Sequence, residues 1–153
     1  MKIQITGKEV NRYLTNLVSV YAPDGVSLNN VQLTDEGCTL HGGYKKVINV
    51  NWSLDLKFRI SDDGKRLGVV IGEPALENRV LGFCAKMADF SPKKLQSMIL
   101  DGVSEGIQAI DWIRKVKNTV WLDLSKLFPM IGLGRYSSSI EFMMSESELS
   151  LDI

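Results

Sequence analysis

From Ile48 to Ile60 the chain alternates without a slip. The even positions, Ile48, Val50, Trp52, Leu54, Leu56, Phe58 and Ile60, are apolar, and the odd positions between them, Asn49, Asn51, Ser53, Asp55, Lys57 and Arg59, are polar. A period of two belongs to a β-strand, so the segment predicts a strand with one dry face and one wet face. At ~3.3 Å per residue it spans about 40 Å, at least twice the usual strand length of about 17–20 Å. A dry face of that length has to be covered, and this requirement constrains the rest of the chain.

The next strand is Lys65 to Glu73, with Leu67, Val69 and Ile71 apolar. Its register against the long strand follows from matching faces. A turn centred on Asp63-Gly64 sets Ile60 against Leu67, Phe58 against Val69 and Leu56 against Ile71, whereas a three-residue turn would set Ile60 against Arg66. Asp-Gly is also the preferred pair for a type I′ turn, so turn chemistry and face matching agree.

Upstream, Met1, Ile3 and Ile5 alternate with Lys2 and Gln4 as a short strand. Thr6-Gly7-Lys8-Glu9 has the form of a capping box, followed by Val10, Leu14, Leu17 and Tyr21 at helical spacing. Ala22-Pro23-Asp24-Gly25 stops that helix, and Val26–Thr34 and Cys38–Tyr44 read as two strands around Asp35-Glu36-Gly37. After Pro74 the period becomes helical: Leu76, Val80, Phe83 and Met87, then Leu95, Met98, Ile99 and Val103. Ser91-Pro92 has the form of N-cap and first helical residue. The second stripe continues through Ile110 and Ile113 to Val116, which predicts one long helix from Pro92 to about Val116 if Gly102 and Gly106 are tolerated, and a break near Gly106 if they are not. Strands return with Val120, Leu122 and Leu124. A short helical turn fits Ser125–Phe128, ended by Pro129. Two last strands follow, with Ile140, Phe142 and Met144 and then Leu149, Leu151 and Ile153. Strands cluster and helices cluster, so the expected fold is α+β: a single domain, 1–153, in which a long, curved antiparallel sheet has its apolar face wrapped around or covered by two or three helices. The length of 153 residues fits one domain.

The chain is poor in reactive chemistry. Cys38, His41 and Cys84 are its only soft metal ligands, short of the four that a structural zinc site needs. On a strand, Cys38 and His41 point to opposite faces and cannot form a nucleophile–base pair. No catalytic residue, no metal site and no cofactor is expected, and both cysteines read as buried thiols. Lys plus Arg is 18 and Asp plus Glu is 18, giving a net charge of +0. Without a basic excess no nucleic-acid partner is expected. No basic-then-apolar leader opens the sequence and no run approaches the ~18 apolar residues of a membrane span, so the expectation is a cytoplasmic protein with no integral membrane segment.

Function therefore has to be argued from shape. Close packing favours helices that fill the dry face and leave no cavity; if part of that face stays accessible, it forms an elongated apolar groove between sheet and helices, a site for a hydrophobic small molecule or lipid. The candidate ligand-binding residues are Trp52, Leu54, Leu56, Phe58 and Met98. The rival reading is a structural or assembly protein without a small ligand, whose surplus apolar face is covered by another protomer in a homo-oligomer. Minor features read more simply as structure. Asp62-Asp63 is a pair of turn formers, Gly132-Leu133-Gly134-Arg135 is a loop, and Lys45-Lys46 and Lys115–Lys117 are solvated surface. Trp112 falls off the apolar stripe of its helix; if exposed it offers a contact to a partner or a membrane surface, and otherwise it packs on a neighbour.

The stretch Ile5-Thr6-Gly7-Lys8-Glu9-Val10-Asn11-Arg12-Tyr13-Leu14 resembles the opening of small bacterial lipid-binding families, in which such a helix precedes a meander of long strands. Thr119–Phe128, strand then short helix, is similar to their second half. These families resemble or belong to the tubular lipid-binding (TULIP) superfamily. The resemblance implies a curved sheet around a long helix, a lipid held inside and no catalytic residue. Those families usually carry a signal peptide or lipoprotein anchor, and this sequence displays neither.

Overall fold

A computed structural model describes residues 2–22, 24–45, 49–76, 92–130, 132, 141–145 and 148–152. The order is β1 (Lys2–Thr6), α1 (Gly7–Tyr21), β2 (Val26–Leu33), β3 (Gly37–Lys45), β4 (Asn49–Ile60), β5 (Arg66–Ile71), β6 (Ala75–Leu76), α2 (Pro92–Ile107), β7 (Ile113–Val116), β8 (Thr119–Asp123), α3 (Leu124–Met130), β9 (Glu141–Met144) and β10 (Glu148–Asp152). The fold is α+β. Its main layer is a seven-stranded sheet in the order β2-β3-β4-β5-β8-β7, with β6 beside β4. Every strand pair is antiparallel. The sheet is open, with β2 and β7 at its edges.

β4 is the strand that the alternation predicts, twelve residues long, and Ile48 lies outside the described residues. Its dry face continues across the sheet in rows set by register: Leu28–Gly42–Trp52–Leu76, Val31–Leu40–Leu54, Leu33–Cys38–Leu56–Ile71 and Phe58–Val69–Val120. Leu28, Val31, Leu33, Cys38, Val50, Trp52, Leu54 and Ile71 form the buried core. A bulge between Leu28 and Asn30 in β2 shifts the register by one, which keeps both Leu28 and Val31 on the inner face.

The β4–β5 register is the one argued from face matching, with Leu56 opposite Ile71, Phe58 opposite Val69 and Ile60 opposite Leu67. The turn differs from type I′. Gly64 has φ +69, but Asp63 is not among the residues with positive φ. Gly64 N–H donates to the Ser61 carbonyl at 2.8 Å, and Asp63 accepts from Lys65 N–H at 3.0 Å and from the Ser61 hydroxyl. The last strand pair closes one position further out, between Ser61 and Arg66, so a four-residue loop reproduces the register that a two-residue loop would give.

α1 carries the predicted capping box. Glu9 N–H donates to Thr6 Oγ1 at 3.3 Å, and Thr6 N–H donates to Glu9 Oε2 at 2.8 Å. Val10, Leu14 and Val18 pack on the sheet, and the side chains of Leu17 and Tyr21 lie outside the described residues. α2 lays Ile99, Leu100 and Val103 on the same face. Gln96 Nε2 donates to the Gly72 carbonyl at 3.1 Å, fastening α2 to the end of β5.

The expected long helix from Pro92 to Val116 does not form. α2 contains Gly102 and Gly106 and stops at Ile107, and Ile113–Val116 is strand β7, paired with β8. Ile113 and Val116 are spaced for a helix stripe, but the ladder to β8 overrides that spacing, and on the strand they fall on opposite faces, leaving Val116 50% exposed. Trp112 is accordingly in the turn before β7 and half-buried, with its carbonyl accepting Asp123 N–H at 2.7 Å. Leu76 belongs to β6 rather than to a helix, and the expected helical positions Val80, Phe83 and Met87 lie outside the described residues. Pro129 does not end α3, which runs one residue further, to Met130. α3 starts from Asp123, whose carboxylate accepts Ser125 N–H at 3.1 Å, and it buries Leu124 and Phe128 against Leu67 and Leu122.

The chain ends form a second, three-stranded sheet in the order β1-β10-β9. Ile5 faces Leu149 and Ile3 faces Leu151 in its central ladder.

Candidate functional site

The floor of the candidate site is the part of the dry face that lies under α1. Register brings Leu33, Cys38 and Leu56 into one row, and Phe58 and Val69 into the next. Above them, α1 presents Val10 and Leu14, one helical turn apart. The chain-end sheet closes the side with Ile5 and Leu149, which are direct cross-strand partners. Together these residues enclose a groove of about 690 Å³, whose remaining lining is Gln4, Glu9, Arg12, Tyr13 and Asn16. The volume lies within the range of about 300–1,000 Å³ typical of small-molecule sites.

The walls are apolar and the rim is polar. Tyr13 is 67% exposed although it borders the groove. Glu9 is turned toward the start of its helix, where Thr6 N–H and the Thr6 hydroxyl both donate to it and hold its carboxyl below the usual range. Arg12 borders the groove on one side and, on the other, a hollow of about 310 Å³ that it shares with Lys8, Asn11, Thr15 and Asn16. In that hollow Asn11 bonds Asn30 of β2 at 3.2 Å and accepts from the Thr15 hydroxyl at 3.2 Å.

Cys38 is 2% exposed. Burial pushes its thiol up to about 11, and the charge of Asp55 adds to the rise. A thiol in that state is a small apolar wall element and is not a nucleophile near neutral pH. His41 sits opposite Ser53 on the other face of β3 from Cys38, so the two side chains do not meet. Among the described residues, no group of three or more His, Cys, Asp or Glu side chains is placed to hold a metal ion.

The five sequence-derived candidates separate. Leu56 and Phe58 line the groove. Trp52 and Leu54 are 5% and 3% exposed and belong to the packed core; the Trp52 indole lies over Gly42, and its N–H has no hydrogen-bond partner among the described residues. Met98 is 45% exposed on α2 and is not part of the lining. At ~100° per residue, a helix face holding Ile99, Leu100 and Val103 turns Met98 away. Sequence reasoning missed Ile5, Val10, Leu14, Leu33, Cys38, Val69 and Leu149. Val10, Leu14 and Val69 were within reach of the helical stripe and the hairpin register, whereas Ile5 and Leu149 required the pairing of the two chain ends.

The wet face carries structural polar contacts. Thr39 Oγ1 donates to Asp55 at 2.7 Å, Lys57 and Glu36 pair at 3.3 Å, and the Arg59 guanidinium lies 4.7 Å from the centre of the Trp121 ring. Asp62 and Asp63 are hairpin-loop residues, as expected, and Ser61 and Lys65 hold the Asp63 carboxyl below its ordinary value. Lys45 and Lys117 are exposed and Lys115 is half-buried, while Lys46, Leu133, Gly134 and Arg135 lie outside the described residues. None of the helices among the described residues is long and apolar enough to cross a membrane.

Comparison with family models, with curated proteins and with solved structures finds no match to this chain.

Proposed function

We propose that this protein is a non-enzymatic binder of a hydrophobic, lipid-like molecule, held in the groove between α1, the chain-end sheet and the dry face of the main sheet. The observation that carries the reading is the lining. Nine apolar or thiol side chains, Ile5, Val10, Leu14, Leu33, Cys38, Leu56, Phe58, Val69 and Leu149, converge from six strands and one helix on one groove of about 690 Å³. Apolar walls with a small number of polar groups at one rim suit a ligand that is mostly hydrocarbon. The pattern-level likeness to tubular lipid-binding proteins points the same way and remains part of the proposal, as does a cytoplasmic location.

A second reading, cover by another protomer, draws on one observation: the groove is flanked by Tyr13, an aromatic side chain that is largely exposed. Native mass spectrometry of protein taken from cells separates the two. A bound mass of lipid size supports the ligand reading, and a homo-oligomer without added mass supports the assembly reading. A monomer without added mass counts against both.

A further inference from the structure

We propose that the ligand is a single-chain amphiphile with a carboxylate head, of the long-chain fatty acid class, lying with its tail along Leu56 and Phe58 and its head at Arg12. The inference rests on the groove being a ligand site and adds polarity and direction to it. The groove is not symmetric. One side is apolar throughout, from Leu33 and Cys38 to Val69 and Leu149, and the polar groups gather on the α1 side, at Glu9, Arg12, Tyr13 and Asn16, with Gln4 of β1 beside them.

The rim carries one charge of each sign, Glu9 and Arg12, and the positive excess comes from Lys8 in the adjoining hollow. Glu9 is committed to Thr6 through two contacts of 2.8 Å. Arg12 and Lys8 face the adjoining hollow together with the amides of Asn11 and Asn16 and the hydroxyl of Thr15. Apart from Glu9, none of the described residues lining that rim or that hollow is acidic. A guanidinium presents N–H donors in a fixed fork that matches a carboxylate. Arg12 and Asn16 line both the apolar groove and the polar hollow, and Arg12 is the charged one of the two, so an anion bound there leaves its tail room to run along the apolar floor. A volume of about 690 Å³ is that of one ligand of moderate size, which favours one acyl chain over the two of a diacyl lipid.

The test uses the full chain with oleate and with oleyl alcohol, the same chain with a neutral head, both below their aggregation concentrations and read by isothermal titration calorimetry. Wild-type protein is expected to prefer oleate by about tenfold, the worth of one charge-assisted contact. In R12Q that preference is expected to fall below threefold while the affinity for oleyl alcohol stays within twofold of wild type. Equal binding of both compounds to wild type overturns the head-group assignment and leaves the groove reading standing. A preference that survives in R12Q overturns the role of Arg12. Binding of neither compound overturns the inference together with the groove reading on which it rests. Phe58→Ser, which shortens the apolar floor, is expected to weaken both compounds alike, and unchanged affinity in that variant overturns the placement of the tail.

Discussion

Cys38 shows how a single buried group couples the fold to pH. Its thiol titrates at about 11 in the folded chain against 9.0 for an ordinary cysteine, first because it is buried and second because Asp55 is near. The folded state therefore holds the proton more tightly than the unfolded state. The stabilisation is complete below about pH 9 and is lost as pH rises through about 11, a difference of about 2–3 kcal/mol. Urea midpoints measured between pH 8 and 11 should fall less steeply for Cys38→Ala than for the wild type. Two glycines give predictions of opposite sign. A Cβ at Gly42 would collide with the Trp52 ring and the Ser27 carbonyl oxygen, whereas one at Gly102 meets none of the described residues within 4 Å. Gly42→Ala is expected to cost about 3 kcal/mol in thermal denaturation. Gly102→Ala, in the exposed interior of α2, is expected to stabilise by about 0.5–1 kcal/mol.

At the scale of elements, β4 with its two faces is the informative unit. Phe58 packs against the core and lines the groove, while Lys57 is 65% exposed and paired with Glu36. Phe58→Asp should cost about 2–3 kcal/mol by placing an unpaired charge on an apolar wall. Lys57→Asp should stay within about 1 kcal/mol, since exposed ion pairs contribute little. Similar thermal midpoints for the two variants would mean that the faces of β4 are assigned the wrong way round. The β7–β8 hairpin contains a strained residue: Lys117 has φ +54, where a side chain is disfavoured. Lys117→Gly is expected to raise stability by about 0.5–1 kcal/mol, as measured by urea denaturation. Much at this scale could be read from sequence. The capping box, the face of β4 and the β4–β5 register depend on neighbours within a few residues or on one short turn. The end of α2 could not be read in this way, because Ile110, Ile113 and Val116 keep the helical spacing while the pairing with β8 that makes Ile113–Val116 a strand is not written in the local period. The bulge in β2 did leave a trace, since the apolar residues change parity from Val26 and Leu28 to Val31 and Leu33.

Across the whole molecule, the groove wall joins two sheets of unequal support. The main sheet holds the buried core under α1 and α2, while the chain-end sheet has three strands. Hydrogen exchange should find the slowest amides in β3 and β4, with those of β1 exchanging faster. Leu149→Asp places a charge opposite Ile5. It should accelerate exchange in β1 and abolish oleate binding while leaving β4 protected. Loss of protection throughout β4 in that variant would indicate that the two sheets open as one unit. The candidate site was only half legible for the same reason. Leu56 and Phe58 follow from the alternation of β4, but which stretch of its dry face stays uncovered depends on where the helices come to rest.

The sequence by itself determined the α+β class, the long two-faced strand, the start of α1 and the pairing of β4 with β5. Each of these rests on interactions short enough in chain separation for period, capping and face matching to specify them. Only the tertiary structure decided that Trp52 and Leu54 are packed away, that Met98 faces solvent, that Ile113–Val116 joins a sheet, and that Ile5 and Leu149 meet to wall the groove. Those outcomes depend on which apolar surfaces compete for the same cover. That competition is settled by packing among residues far apart in the chain, which no local pattern records.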